Sequence, residues 1–404
     1  MTYEPRDAKI NLATFRVVQI ISFVLGLAPC KIDIAISSSK DIKYITKFSY
    51  SKSGCAYNIL LIIIFSVLTI ACLPYISKEY DLHYSEFIVV IDLTMSVIGN
   101  VFVVITALIY CIHQKRIVKI GNQLSEIQSN LSPCVAKKSR IFYYVTIISS
   151  FVLIWVSISV GQLVRSKIFL FISFVLSAIL LSGFIMQYSL IVNVLRDNFE
   201  DLNRSFYTIV KVPEEFRYIS GFPRNIAKTR LIIQNFIRIR ETRHALYKVS
   251  CQISHFYSFP VLLTIVNCCG NCISILYFSI INFKHRESTF LNSISPTVCI
   301  LDGLSLLALY GYPVVVLTNT VKRFNAEINK TTDILYDVRQ ANASNEELVA
   351  QLHDFALELV HKKVEFTAFG FFSLDCTLLH SIFGMIVTYL MILLQFKPPD
   401  TATE

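Results

Sequence analysis

Ile253–Ile281 reads ISHFYSFPVLLTIVNCCGNCISILYFSII, 29 residues without one Asp, Glu, Lys or Arg. A hydrocarbon core about 30 Å thick takes ~20 apolar residues at 1.5 Å of helix rise each, so this stretch reads as a membrane-crossing helix. Six further stretches qualify, at 56–75, 87–112, 141–164, 168–195, 294–318 and 371–396. The composition agrees with them. The 404 residues are 54% hydrophobic and 16% charged, with a mean hydropathy of +0.57, where a soluble domain carries ~25% charged residues. An all-α membrane protein of seven transmembrane helices is therefore expected, and a disordered chain, a disulfide scaffold or a nucleic-acid module is excluded. An earlier apolar run, Val17–Pro29, has only 13 residues. It reads as a helix lying on or dipping into the membrane surface, with a cleaved signal peptide as the other reading.

Orientation follows from the basic residues. One set of connections holds 31 Lys and Arg and the other set 6. The side richer in Lys and Arg is the cytoplasmic one. The N-terminus is then cytoplasmic and the C-terminus extracellular, the reverse of a G-protein-coupled receptor. The chain divides into a cytoplasmic N-terminal segment 1–55, spans one to four over 56–195 and a cytoplasmic helical linker 196–252. Spans five and six follow over 253–318, then a second linker 319–370, the last span 371–396 and an extracellular tail 397–404. The four Asn-x-Ser/Thr sequons, at Asn130, Asn203, Asn329 and Asn342, fall on the cytoplasmic side, where no glycan is added. None of the 11 cysteines lies in an extracellular connection. Cys268, Cys269 and Cys272 have a metal-like spacing but sit in an apolar span without His, so small-residue packing is the better reading and no metal or cofactor is expected.

The extracellular connections of 11, 3 and 12 residues are too short to build a ligand-binding domain. A ligand from outside must enter between helices. The cytoplasmic linkers of 57 and 52 residues differ in kind. Leu348, Leu352, Phe355, Leu359 and Phe366 keep a heptad-like spacing, and Leu231, Ile232, Phe236, Ile239, Leu246 and Val249 alternate with basic residues. Both read as helices that continue the spans below the membrane and pack together, or else as amphipathic helices on the inner leaflet.

The last span carries Thr377, His380, Ser381, Gly384 and Thr388 on one helical face, with Gln395 two turns further on. Polar groups facing lipid are costly, so the stripe either bonds to neighbouring helices or lines a pore shared by several copies. Thr388-Tyr389-Leu390-Met391-Ile392-Leu393-Leu394-Gln395-Phe396 matches in full the Thr-Tyr-five-apolar-Gln-Phe signature of insect gustatory receptors. The run Phe366-Thr-Ala-Phe-Gly-Phe-Phe-Ser-Leu-Asp375 also resembles that family's approach to its last helix. The resemblance implies a ligand-gated, non-selective cation channel at the plasma membrane of a sensory neuron. Four like or related subunits would set their last helices round one pore. Gln395 and Phe396 would form the gate, with Thr388, Tyr389, Ser381 and Thr377 along the pore. Asp375 either lends charge to the cation exit or caps the helix. The membrane lipid and a small-molecule tastant are the expected partners, with no nucleic acid.

Depth counted at ~1.5 Å per residue puts Asp92, Trp155, Asn271 and Asp302 in one outer-leaflet layer, with Tyr277 nearer the surface. That layer is either a ligand pocket or a packing network. In this family's main sugar-receptor branch an acid follows the Thr-Tyr pair. Leu390 stands there instead, which favours a bitter plant compound, with a fructose-type sugar second. The competing readings are an odorant receptor of the same channel superfamily, a metabotropic receptor and a secondary transporter. The last lacks matching halves and paired helix breaks, and no nucleophile–base pair suggests an enzyme.

Overall fold

The computed structural model describes residues 30–37, 43–81, 86–130, 138–165, 175–210, 222–284, 296–341 and 346–395. Among these residues, seven helices are long and apolar enough to cross a membrane. They are α1 (Lys52–Asp81), α2 (Glu86–Ile112), α4 (Lys138–Arg165), α5 (Leu176–Val210), α6 (Phe222–Lys284), α7 (Pro296–Ala341) and α9 (Cys376–Gln395). Between them lie α3 (Gln114–Asn130) and α8 (Glu346–His361). In hydrocarbon every backbone group must bond within its own segment, which is why the apolar runs are helices although rich in β-branched residues. Val17–Pro29 lies outside the described residues.

The helices of the two linkers pack together, Phe355 of the second against Phe236 of the first, but only the first continues the span it leads into. α6 runs unbroken for 63 residues and α7 for 46, so both continue the spans far beyond the membrane. α8 packs below them through buried Leu348, Leu352, Phe355 and Leu359. Phe355 sits edge-on to Phe206 and Phe236, 6.4 and 5.5 Å away. Beside it Arg240 and Lys362 both bond the Glu358 carboxylate. Burial pushes Glu358 up, yet the bonds from Lys362 and Arg240 outweigh it and hold the carboxyl below its usual range.

Two elements of the N-terminal half went unforeseen. Residues 113–140, expected only as a connection, contain the helix α3. The N-terminal segment contains an antiparallel hairpin, β1 (Cys30–Ser37) with β2 (Lys43–Tyr50). The hairpin docks on α3 through a side chain that imitates a strand. Asn122 accepts from the Phe48 amide at 2.8 Å and donates to the Phe48 carbonyl at 2.9 Å. Gly121 leaves room for the Phe48 ring, since a Cβ there would lie 2.8 Å from it. Ser51 then caps α1, its Oγ accepting from the Gly54 amide at 3.0 Å.

The core is the long parallel contact of α5 with α7, flanked by α6. In it Tyr188 stacks on Tyr257 at 4.4 Å, and Phe199 meets Phe324 edge-on at 5.5 Å. Polar side chains fix the register of the two helices. Asn193 donates to Thr320 at 3.2 Å. Lower down, Asn203 donates to the Glu327 carbonyl and carboxylate at 2.9 and 3.0 Å and accepts from Thr331 at 2.8 Å. A group so placed leaves several buried partners unmatched when removed, at about 1–3 kcal/mol. Asn203→Ala should therefore lower the melting temperature of the detergent-solubilised protein and reduce its surface level. A melting temperature equal to wild type would show that this clamp does not hold α5 to α7.

Candidate functional site

The approach to the last helix is built from residues that the sequence assigned to two different elements. Phe366 was expected to continue the helix of Leu359, and residues 371–375 were expected to begin the last span. Instead α8 ends at His361, and residues 366–375 form a short hairpin of β3 (Thr367–Ala368) and β4 (Phe372–Ser373). Phe369 and Gly370 turn it with φ of 52° and 77°, a left-handed conformation that Gly enters without cost. The Leu374 amide bonds the Phe366 carbonyl at 2.9 Å and closes the turn. The hairpin is fastened to α6. Ser254 donates to the Glu365 carbonyl at 2.8 Å, and Ser258 accepts from the Phe369 amide at 2.6 Å. Phe366 lies edge-on between Tyr188, 6.3 Å away, and Phe324, 4.9 Å away.

Asp375 is the cap of α9. Its carboxylate accepts from the Thr377 amide at 2.9 Å and from the Thr377 hydroxyl, the pattern of an N-cap residue bonding the second helical amide. The bond from the Thr377 hydroxyl is the first reason that the Asp375 carboxyl is held below the ordinary carboxylate range. Of the two roles open to Asp375, the geometry supplies the structural one. Thr377 is thereby engaged at its hydroxyl and its amide.

α9 packs on its own chain with one narrow face. Leu378 is its one buried residue, and Leu379, Ile382 and Ile386 rest partly buried against the core. At about 100° per residue, Thr377, Ser381, Gly384, Thr388 and Gln395 fall within about 60° of one another and about 180° from Ile386. All five are exposed. The polar stripe thus points directly away from the body of the chain, with exposed His380 on its flank. Ser381 and Thr388 return their hydroxyl protons to the carbonyls one turn back, at 3.1 and 2.9 Å. Their lone pairs, His380 and the Gln395 amide have no such partner among the described residues. Tyr389, 53% exposed, lies about 100° round from Thr388 and is not brought onto the stripe. Phe396 lies outside the described residues.

The expected outer-leaflet layer is brought together only in part. Asp92 and Asp302 lie within α2 and α7, and their side chains are outside the described ones. Trp155 packs partly buried against Phe151, ring centres 6.0 Å apart, and its buried Nε1 has no acceptor among the described residues. Tyr277 is buried on α6. Asn271 donates to the Asn267 carbonyl and side chain at 2.8 and 3.2 Å.

Asn271 belongs to a polar seam between α2, α5 and α6 whose other members were missed. A Cβ on Gly99 would lie 3.0 Å from Asn267 Oδ1 and 3.4 Å from Ser177 Oγ, and one on Gly270 would lie 2.7 Å from the Met95 sulfur. The glycines let α2 and α6 approach closely, as small residues do in membranes. In that crossing Asn100 is 4% exposed, and among the described residues neither its Nδ2 nor its Oδ1 has a partner, nor does Ser274 Oγ. The signal lay in the sequence. Asn267, Asn271 and Ser274 recur at spacings of four and three on one face of an apolar span, and Gly99-Asn100 repeats the polar break on another.

Comparison with known proteins places this geometry. A family model described as 7tm chemosensory receptor matches residues 15–398. Among curated proteins of Drosophila melanogaster, gustatory and pheromone receptor 39a, isoform B, is 27% identical over 148 residues, 37% of this chain and 36% of its own. Gustatory receptor 68a is 25% identical over 143 residues, 33% of this chain and 36% of its own, so the chain spans about a third of these relatives' length in each match. Among solved structures, the insect olfactory receptor OR5 from Machilis hrabei superposes with a TM-score of 0.57 at 12% identity, covering 95% of this chain and 98% of that one. That likeness is one of fold. With seven membrane-crossing helices in one chain and a family match over almost its whole length, this multi-pass membrane protein belongs to the 7tm chemosensory receptor family.

Proposed function

We propose that the protein is a gustatory receptor of the plasma membrane of a sensory neuron, a cation channel opened by a small molecule. Four copies, of this chain or of this chain with related ones, surround a pore lined by α9. One observation carries the reading. The polar stripe of α9 lies opposite the face that packs on its own chain, where a lone molecule would press it into lipid. Symmetric copies turn that stripe toward water on a shared axis. Gln395 and Phe396 then stand at the outer end of the pore, where an apolar ring stops ions by dewetting. The N-terminus is cytoplasmic on this reading.

The ligand sits in the seam of Asn100, Asn267, Asn271 and Ser274, with Trp155, Asp92, Asp302 and Tyr277 as the outer candidates. Unpartnered buried amide and indole groups favour a ligand that brings its own donors and acceptors. Few such groups stand among many apolar ones. A sugar would leave several hydroxyls unmatched there, at about 1–3 kcal/mol each, whereas an alkaloid or phenolic bitter compound presents only one or two. Bitter plant compounds are thus preferred to fructose.

The gate reading predicts that Phe396→Ala raises the ligand-free current, because a polar or wider neck stays wet. Gln395→Ala should change both resting leak and relative permeability, while Leu153→Ala, on an exposed flank of α4, leaves both unchanged. Wild-type leak and selectivity in the first two variants, at normal surface level, would remove the gate from this end of α9.

Ligand and packing roles of the seam separate cleanly at Asn100. Replacing an unsatisfied buried amide with an apolar group of similar shape stabilises a protein or leaves it unaltered. Asn100→Leu should keep or raise the melting temperature yet shift the agonist concentration–response curve about tenfold to higher concentration. Trp155→Phe, which removes only the indole donor and some area, should shift it less. An unmoved curve for both would leave the seam a packing feature.

Sidedness has its own check. A tag before Met1 should be stained only in permeabilised cells, and a tag after Glu404 in intact ones. The opposite result would bring back the metabotropic reading.

A further inference from the structure

The junction of α1, α2 and α3 gathers charge that the channel reading does not use. The apolar window of α1 begins at Lys52 and that of α2 ends at Ile112, so two spans terminate at one level. Gln114 holds them there, its Nε2 donating to the Ser51 carbonyl at 3.2 Å. Around this bond Lys52, Lys115, Arg116 and Lys119 are all exposed. None of the four has an ion-pair partner among the described residues. At about 100° per residue, Lys115, Arg116 and Lys119 share one side of α3. Gln114, Gly121 and Ser125 turn the other side to the protein. The next acid on the exposed side, Glu126, stands seven residues beyond Lys119, roughly 10 Å away. Lys47 nearby stands opposite Asp33 in the register of β1 and β2.

Directly on the membrane side of these cations the surface is apolar and open. Ile112 is 73% exposed, and Leu108 on α2 with Ile59 and Leu60 on α1 face outward. The order is therefore exposed aliphatic wall first and unpaired cations next, within about two helical turns.

We infer that this junction binds an anionic phospholipid, with its acyl chains against Ile112, Leu108 and Leu60 and its phosphorylated headgroup on Lys52, Lys115, Arg116 and Lys119. Four cations without a protein partner suit a headgroup carrying more than one negative charge, such as a phosphorylated inositol, over a zwitterion. Opposite charge at a bilayer surface attracts juxtamembrane basic clusters of this kind. The inference is independent of the ligand and gate assignments, because no residue in it belongs to the seam or to α9.

The test uses the full chain in nanodiscs of phosphatidylcholine alone, or doped with phosphatidylserine or with a bisphosphorylated phosphoinositide. Bound lipid is read by native mass spectrometry after detergent extraction. The wild type should retain the phosphoinositide above phosphatidylserine and both above phosphatidylcholine, and high salt should strip it. The triple variant Lys115→Gln, Arg116→Gln, Lys119→Gln should lose roughly a hundredfold in retention, the loss expected when three basic side chains leave an anionic surface. Arg339→Gln, an exposed cation at the far end of α7, should retain as wild type does. Soluble inositol trisphosphate should fail to compete, because it has no acyl chain to meet the aliphatic wall. Equal retention of all three lipids by the wild type, or an undiminished preference in the triple variant, would overturn the inference. Displacement by the soluble headgroup would overturn the lipid as its source.

Discussion

Hydrocarbon offers a hydroxyl, an imidazole or a carboxamide nothing to bond, and a transmembrane helix can hide only the groups that face protein or water. α9 meets that constraint badly as part of a single chain. It packs through Leu378, Leu379, Ile382 and Ile386, while Ser381, Gly384, Thr388 and Gln395 look the other way. Back-bonding of Ser381 and Thr388 to their own helix relieves part of the cost, but an amide at Gln395 and an imidazole at His380 are not relieved by it. A shared aqueous axis between copies resolves the rest, and the proposed channel follows from that resolution.

The same helix is tied to the rest of the fold at one end only. Asp375 caps it, the 366–375 hairpin precedes it, and Ser254 and Ser258 fasten that hairpin to α6. α6 also carries Asn267, Asn271 and Ser274 about three to five turns further along. One continuous helix, with Pro260 between the two, therefore reaches both the candidate ligand seam and the anchor of the pore helix. On the proposed reading, a ligand that alters how α6 meets α2 at Gly270 and Met95 acts through that element. Phe366, wedged among Tyr188, Phe324 and the base of α6, is the point where such a shift would be passed on.

The spans were legible because a bilayer imposes length and composition together: an apolar run of 20 or more residues has few other uses. Helix continuation beyond the membrane was legible in Phe236, Ile239, Leu246 and Val249, buried in the part of α6 below its span, whereas Leu348, Leu352, Phe355 and Leu359 are buried in α8, a separate helix that stops short of the last span. The hairpins were not legible. Ile32, Ile34 and Ile36 alternate with Lys31, Asp33 and Ser37, but so short an alternation beside strong helical signals is easily passed over. At 366–375 the apolar count of four Phe and a Leu concealed a turn that Phe369-Gly370 and the cap Asp375 mark plainly once backbone conformation is considered. The ligand layer was legible only as a height in the membrane. Counting depth places residues at a height in the membrane but says nothing of which way each side chain points. Asn271 was found, whereas Asn267 and Asn100 needed the contact of Gly99 with Asn267 to reveal them.

The central claim is that the polar stripe of α9 faces other copies across an axis. Oxidative cross-linking of single-cysteine variants in native membranes tests it most directly, with all 11 native cysteines, the exposed Cys376 among them, replaced by Ser throughout. Gly384→Cys, Thr388→Cys and Gln395→Cys should each give covalent dimers of the chain, while Leu153→Cys on the exposed flank of α4 should give none. Cross-links at Leu153 with none along the stripe would mean that α4 is the shared face and that α9 lines no pore.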